Sequence, residues 1–114
     1  MIKTEDLLKQ RSFTKADKSA TSIKLQWDHQ KELIQQSGLS VIYILEYGIG
    51  VKVGGTEQFR LVYQGSAHRC IITDLNPRTS YRIRVAAAIL SPNAKEVQEM
   101  GDWSEIISVV TQDN

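Results

Sequence analysis

The sequence contains little cysteine, little net charge and no long apolar run, and each of these shortages argues against a class of structure or partner. Its single cysteine, Cys70, allows no disulfide within the chain. The 14 basic and 13 acidic residues leave a formal net charge of +1, so electrostatics gives no reason to expect a nucleic acid as partner. No apolar run approaches the ~20 residues that cross a bilayer, so membrane insertion is not expected. The 114 residues are enough for one domain.

Signals of catalysis and metal binding are also scarce. The two histidines, His29 and His68, lie in different segments, and no Cys/His/Asp group has metal-ligand spacing. There is no Gly-x-Ser-x-Gly turn and no phosphate-binding loop. The sequence Gly48-Ile49-Gly50 resembles the start of a dinucleotide-binding loop, but no helix is predicted after it. We therefore predict that the protein is not an enzyme and uses no cofactor or metal.

The thiol and the asparagines bear on the cellular compartment. No asparagine begins an Asn-x-Ser/Thr glycosylation sequence. One thiol and no such sequence fit a reducing compartment better than an extracellular one, so we predict a cytoplasmic protein. The inward position of Cys70 in its strand favours a small core residue, with a reactive thiol as the alternative.

Alternation of apolar and polar residues predicts strands through most of the chain. In residues 21–28, Ile23, Leu25 and Trp27 share one face and polar residues occupy the other. The other predicted strands cover residues 11–17, 40–47, 58–63, 68–75, 81–87 and 103–111. Between them we expect at most one helical turn in residues 29–39 and a loop at 91–102. Seven strands separated by turn signals predict an all-β, antiparallel β-sandwich.

The segment from Leu75 to Tyr81 predicts a corner between two strands. Pro77 fixes its own φ and has no backbone N–H, so no strand can run through it. Tyr81 begins the next strand, and its hydroxyl can reach back to the corner backbone, as in the tyrosine corner of β-sandwiches. An immunoglobulin domain would carry its core tryptophan on the third strand and a cysteine two residues after this tyrosine. Trp27 and Ile83 do not fit that pattern.

In this order and spacing, the landmarks resemble a fibronectin type III domain over residues 13–111. They are Trp27, Tyr43-x-Leu45-x-Tyr47, Leu75-x-Pro77-x-Thr79-x-Tyr81, Arg84-Val85-x-Ala87, Gly101-x-Trp103-Ser104 and Thr111. The resemblance implies a seven-stranded sandwich of immunoglobulin-like topology at residues 11–112. Residues 1–10 form an N-terminal extension, either a short helix or a linker. The stretch 59–65 is similar to repeats of intracellular multidomain members, whereas residues 48–55 look like an insertion.

One set of outward positions has an unexpected composition. The predicted third, sixth and seventh strands carry aliphatic side chains beside arginines there: Ile42, Ile44, Arg82, Arg84, Ile106 and Val110. Outward positions of a solvated sheet are normally polar, so these six are our candidate partner surface. Two alternatives are coverage by Ile2, Leu7 and Leu8 of the extension, and scattered exposed residues without a function.

The resemblance implies no specific activity, because family members serve both as spacers and as protein-binding modules. We predict a non-catalytic protein–protein interaction module of a larger multidomain protein, which uses the outer sheet face or the long loops. A passive structural spacer is the first alternative. A degenerate cytokine-receptor-like ectodomain module is the second, since Trp103-Ser104 matches only the first half of the Trp-Ser-x-Trp-Ser motif of those receptors.

Overall fold

A computed structural model describes residues 2–49, 58–93 and 95–113. In these residues the chain forms two short helices and eight strands. In chain order they are α1 (Thr4–Leu7), β1 (Phe13–Lys18), β2 (Ile23–Trp27), α2 (Lys31–Ser37), β3 (Ser40–Ile49), β4 (Arg60–Gly65), β5 (Arg69–Ile72), β6 (Ser80–Leu90), β7 (Val97–Met100) and β8 (Ile107–Val110). No helix of the described ranges is long and apolar enough to cross a membrane.

The strands form two antiparallel sheets. One has the order β1-β2-β5. The other has the order β4-β3-β6-β7, and β8 also pairs with β6, beyond the end of β7. The prediction of an all-β antiparallel sandwich is confirmed.

The core lies between the two sheets, and inward residues of the alternating strands form most of it. β2 contributes Ile23, Leu25 and Trp27, and β6 contributes four alternating residues from Tyr81 to Ala87, all of them buried. The Trp27 ring packs edge-on against Tyr43 of β3, with ring centroids 5.6 Å apart. Because strand side chains alternate between the two faces, the same register sends the intervening residues of β3 and β6 outward.

The predicted tyrosine corner is present. The Tyr81 hydroxyl accepts a hydrogen bond from the Asn76 N–H at 2.9 Å. Buried Thr111 secures the corner from the other side, since its Oγ1 donates to the Asn76 carbonyl at 2.6 Å and accepts from the Thr79 N–H at 3.0 Å. These bonds satisfy backbone groups that the corner takes away from the sheet ladder.

Three details of the sequence prediction were wrong. Residues 91–102 are not all loop, because Val97–Met100 pairs with β6 as an additional strand. The connection after β2 holds a seven-residue helix, α2, which ends as expected at Gly38 with a left-handed φ of 68°. The last strand begins at Ile107 rather than at Trp103. Most of the predicted insertion at 48–55 lies outside the described residues.

The first residues of the chain pack into one end of the interior. Leu7 and Leu8 are buried in the same cluster as the inward strand residues, and Ile2 packs against it. Arg11 is buried beside them and donates hydrogen bonds to the carbonyls of Leu7 and Lys9. Carbonyl acceptors thus compensate a cation that would otherwise be costly to bury.

Candidate protein-interaction surface

The candidate surface is the outer face, which we define as the side of the five-stranded sheet that is turned away from the core. The strand register sends the β3 and β6 candidates to this face. Ile42 and Ile44 lie opposite Ala88 and Ala86 of β6. Arg84 lies opposite Glu46, and Arg82 lies opposite both Gly48 and Ser108. The two remaining candidates lie at one edge, where Ile106 precedes β8 and Val110 pairs with Ser80.

The six candidates differ in how much surface they offer. Val110 is 49% exposed, whereas Ile44 and Ile106 are half-buried. Ile42 is only 7% exposed, although it is absent from the interior cluster. Ile42 therefore supports the outer face from within the sheet and offers a partner little to contact.

Arg84 lies between two aromatic rings and a carboxylate on the outer face. Its guanidinium carbon lies 4.1 Å from the ring centroid of Phe59 and 4.1 Å from that of Trp103. Its Nε and Nη2 donate to the same carboxylate oxygen of Glu46, at 3.1 and 2.7 Å. We call this arrangement the Phe59–Arg84–Trp103 stack. Two aromatic faces and one carboxylate fix the cation and compensate its charge.

Hydrogen bonds to β6 fix Trp103 beside Arg84. The Gly101 N–H donates to the Ala87 carbonyl, and the Ser104 N–H donates to the Val85 carbonyl, both at 2.8 Å. The buried Ser104 hydroxyl also accepts from the Val85 N–H at 3.0 Å. The chain between β7 and β8 therefore stays attached to β6 on both sides of Trp103.

Gly101 is required because the N-terminal segment approaches it closely. A Cβ atom at this position would lie 2.3 Å from the Leu8 carbonyl oxygen. The Gln10 side chain also donates to the Trp103 carbonyl at 3.0 Å. The segment therefore supports the Trp103 side of the stack through backbone contacts, while its leucines pack into the interior rather than over the outer face.

The outer face also carries exposed apolar side chains that the sequence analysis did not select. Leu61 of β4 lies opposite Glu46 and is 57% exposed. Met100 of β7 lies opposite Ala88, and Val97 lies opposite Leu90. Counting alternate residues along the sequence could not identify these side chains. The alternation in β4 is interrupted by a register shift, and β7 buries no side chain that would reveal its inward face.

No group of three His, Cys, Asp or Glu side chains that could hold a metal ion occurs among the described residues. Cys70 is half-buried against the interior cluster, and this burial raises the pKa of its thiol.

Comparison with known proteins places the chain in a family. A model of the fibronectin type III domain matches residues 11–109, so the chain belongs to the fibronectin type III family. Domains of this family are generally non-catalytic modules of multidomain proteins, in which they bind or space other parts. A search of curated proteins finds no match.

Solved structures share the fold at low sequence identity. The fourth FNIII domain of a human protein is 21% identical with a TM-score of 0.65, and the match covers 92% of this chain and 79% of that one. The sixth domain of human fibronectin type III domain containing protein 3 is 28% identical with a TM-score of 0.58, covering 94% and 85%. The FN5 domain of Drosophila Lar is 22% identical with a TM-score of 0.59, covering 94% and 99%.

Proposed function

We propose that this domain is a protein-interaction module that binds its partner through the outer face, around the Phe59–Arg84–Trp103 stack. The observation that carries the proposal is the stack itself, with exposed aliphatic side chains on either side of it. Tryptophan and arginine are, with tyrosine, the residue types most enriched among those that dominate binding energy in protein interfaces. The solvated face of an antiparallel sheet usually carries polar side chains, so aliphatic side chains here support a binding role.

The stack also lowers one cost of binding. Arginine loses rotamer freedom when an interface forms, which costs about 0.5–1.5 kcal/mol for such a side chain. Arg84 is already held by two rings and by Glu46, and its side chain is only 26% exposed before any partner arrives. A partner therefore meets a largely pre-ordered surface.

Leu61 and Ile71 offer a matched pair of variants to test the proposal. Leu61 is 57% exposed on the outer face, whereas Ile71 is 56% exposed on β5, opposite Lys24 of the other sheet. Replacing each by glutamine removes a similar apolar area without adding charge. Proteins captured from a cell extract by the parent domain would be identified, and their affinities for both variants measured by calorimetry.

We expect Leu61→Gln to weaken binding at least about tenfold, because a buried leucine side chain contributes ~1.5–3 kcal/mol. Ile71→Gln should leave the affinity within about twofold of the parent. Equal affinities for the parent and both variants would contradict the outer-face proposal, and capture of no protein by the parent would favour the spacer. Loss of binding in Ile71→Gln alone would move the surface to the other sheet.

A further inference from the structure

Away from the outer face, the two histidines of the chain form a stacked pair at the end of the sandwich. His29 follows β2 and His68 precedes β5, and their ring centroids lie 4.7 Å apart with an interplanar angle of 14°. Nearly parallel rings do not aim their nitrogen lone pairs at a common point, so the pair is unsuited to chelating one metal ion. The arrangement instead brings two groups that can gain a proton close together.

Hydrogen bonds to Tyr43 define where His29 can take up a proton. The Tyr43 hydroxyl donates to the His29 carbonyl at 2.8 Å and lies 2.7 Å from His29 Nδ1. Because the hydroxyl has one proton and gives it to the carbonyl, Nδ1 carries hydrogen and donates to the phenol oxygen. The remaining site is Nε2, and a proton there adds positive charge without breaking these bonds.

The surroundings of His29 oppose that charge. The charged and titratable groups around it are Arg11 before β1, Asp28 at the end of β2, Lys31 of α2, Tyr43 of β3 and His68 before β5. Burial, and then the charges of His68, Arg11 and Lys31, lower the pKa of His29 below its usual 6.5. The one acid among these groups, Asp28, already accepts from the Ser12 N–H at 2.6 Å and lies 3.9 Å from Arg11 Nε.

Arg11 connects this pair to the start of the chain. Its Nη1 donates to the Lys9 carbonyl at 2.7 Å, and its Nη2 donates to the Leu7 carbonyl at 2.9 Å and to the His29 carbonyl at 3.4 Å. The same guanidinium thus holds the backbone of residues 7–9 and borders the ring that would become charged. With Arg11 in place, Leu7 and Leu8 stay buried.

We propose that the His29–His68 pair is a pH-sensitive latch that holds the N-terminal segment, residues 2–11, in place when the histidines are neutral and releases it when they are protonated. Charging His29 places a cation next to Arg11, and charging both rings places two cations face to face. Release of residues 2–11 relieves the repulsion between His29 and Arg11, because it removes Arg11 from the side of His29.

The direction of the pH dependence follows from linkage. The pKa of His29 is lower when the segment is docked than when it is released. At pH values between these two pKa values, the released form therefore binds more protons than the docked form. Docking is therefore fully favourable above about pH 6.5 and weakens as the pH falls below it. Below both pKa values, the equilibrium constant for docking falls about tenfold for each pH unit that separates the docked and released pKa of His29.

A methyl NMR titration of the whole chain from pH 7.5 to 5 tests the latch. The leucine methyls of residues 7 and 8 report docking, the Ile83 methyl reports the interior, and the His29 ring proton reports its charge. We expect the Leu7 and Leu8 signals to shift with the midpoint of His29, below 6.5, while Ile83 stays unchanged. Static Leu7 and Leu8 signals, or a simultaneous shift of Ile83 that marks global unfolding, would overturn the proposal.

His68→Gln distinguishes a latch from a merely structural pair. This variant keeps both hydrogen bonds of Tyr43 and removes a charge that lowers the pKa of His29 in the docked and the released form alike, so the midpoint of release should move up toward 6.5. An unchanged midpoint would overturn the proposal. The variant His29→Gln should remove the transition, because no positive charge can then form beside Arg11; a transition that persists near pH 6 would also overturn the proposal.

Discussion

Replacing Arg84 by methionine should destabilise the domain by about 2–5 kcal/mol. Methionine keeps the length of the side chain but removes the cation from between Phe59 and Trp103. Each partly desolvated cation–π contact contributes about 0.5–2 kcal/mol. The ion pair with Glu46, in which the two side chains are 26% and 21% exposed, adds about 1 kcal/mol because solvent still screens it. Urea unfolding followed by tryptophan fluorescence measures the loss.

Arg69→Met is the matched control for this prediction, because Arg69 is an exposed arginine on the outer side of the other sheet. It should change the free energy of unfolding by no more than ~0.5 kcal/mol, as surface substitutions usually do. A double-mutant cycle between Arg84→Met and Glu46→Gln should give a coupling energy of about 1 kcal/mol. If Arg84→Met is as mild as Arg69→Met, the stack contributes no order to the outer face and our reasoning fails.

Two further substitutions and one labelling experiment test the packing of the domain. Trp27→Ala should cost ~3–5 kcal/mol, since the ring is 1% exposed in the core; a melting temperature within a few degrees of the parent would refute this. Gly101→Ala should cost ~1–3 kcal/mol in urea unfolding, because its Cβ would overlap the Leu8 carbonyl; unchanged stability would contradict the close approach. Cys70 should react with iodoacetamide more slowly in the native protein than in denaturant at pH 7.5, because burial raises the pKa of its thiol; equal rates would mean an exposed thiol.

The sequence alone predicted the strands in which every second side chain is buried. In β2, β3 and β6 every second residue faces the core, so period-two alternation identified both the strands and their inward faces. The tyrosine corner was equally predictable, because Pro77 and Tyr81 act through local geometry. In contrast, β7 exposes all four of its side chains and exists through pairing with β6, which depends on residues distant in sequence.

The candidate surface was only partly predictable for the same reason. The alternation of strand side chains placed Arg84 on the outer face, but its partners Phe59 and Trp103 lie 25 residues before it and 19 residues after it in the sequence and meet it only in the folded sheet. Alternation counted back from Ile107 would have turned Trp103 inward, because it assumes that the strand continues to that residue. The burial of Arg11 was equally unpredictable from the sequence, since the carbonyls that allow it come from three separate residues.

The most direct test of the outer-face proposal is to map where a captured partner contacts this domain. In a cross-saturation NMR experiment on the complex, saturating the partner reduces the intensity of methyl groups at the interface. Leu61 and Ile71 are almost equally exposed in the free domain, so a difference between them reports contact rather than exposure. We predict strong intensity loss at Leu61, Ile44 and Val110 with no loss at Ile71. Loss at Ile71 with none at Leu61 would contradict the proposal.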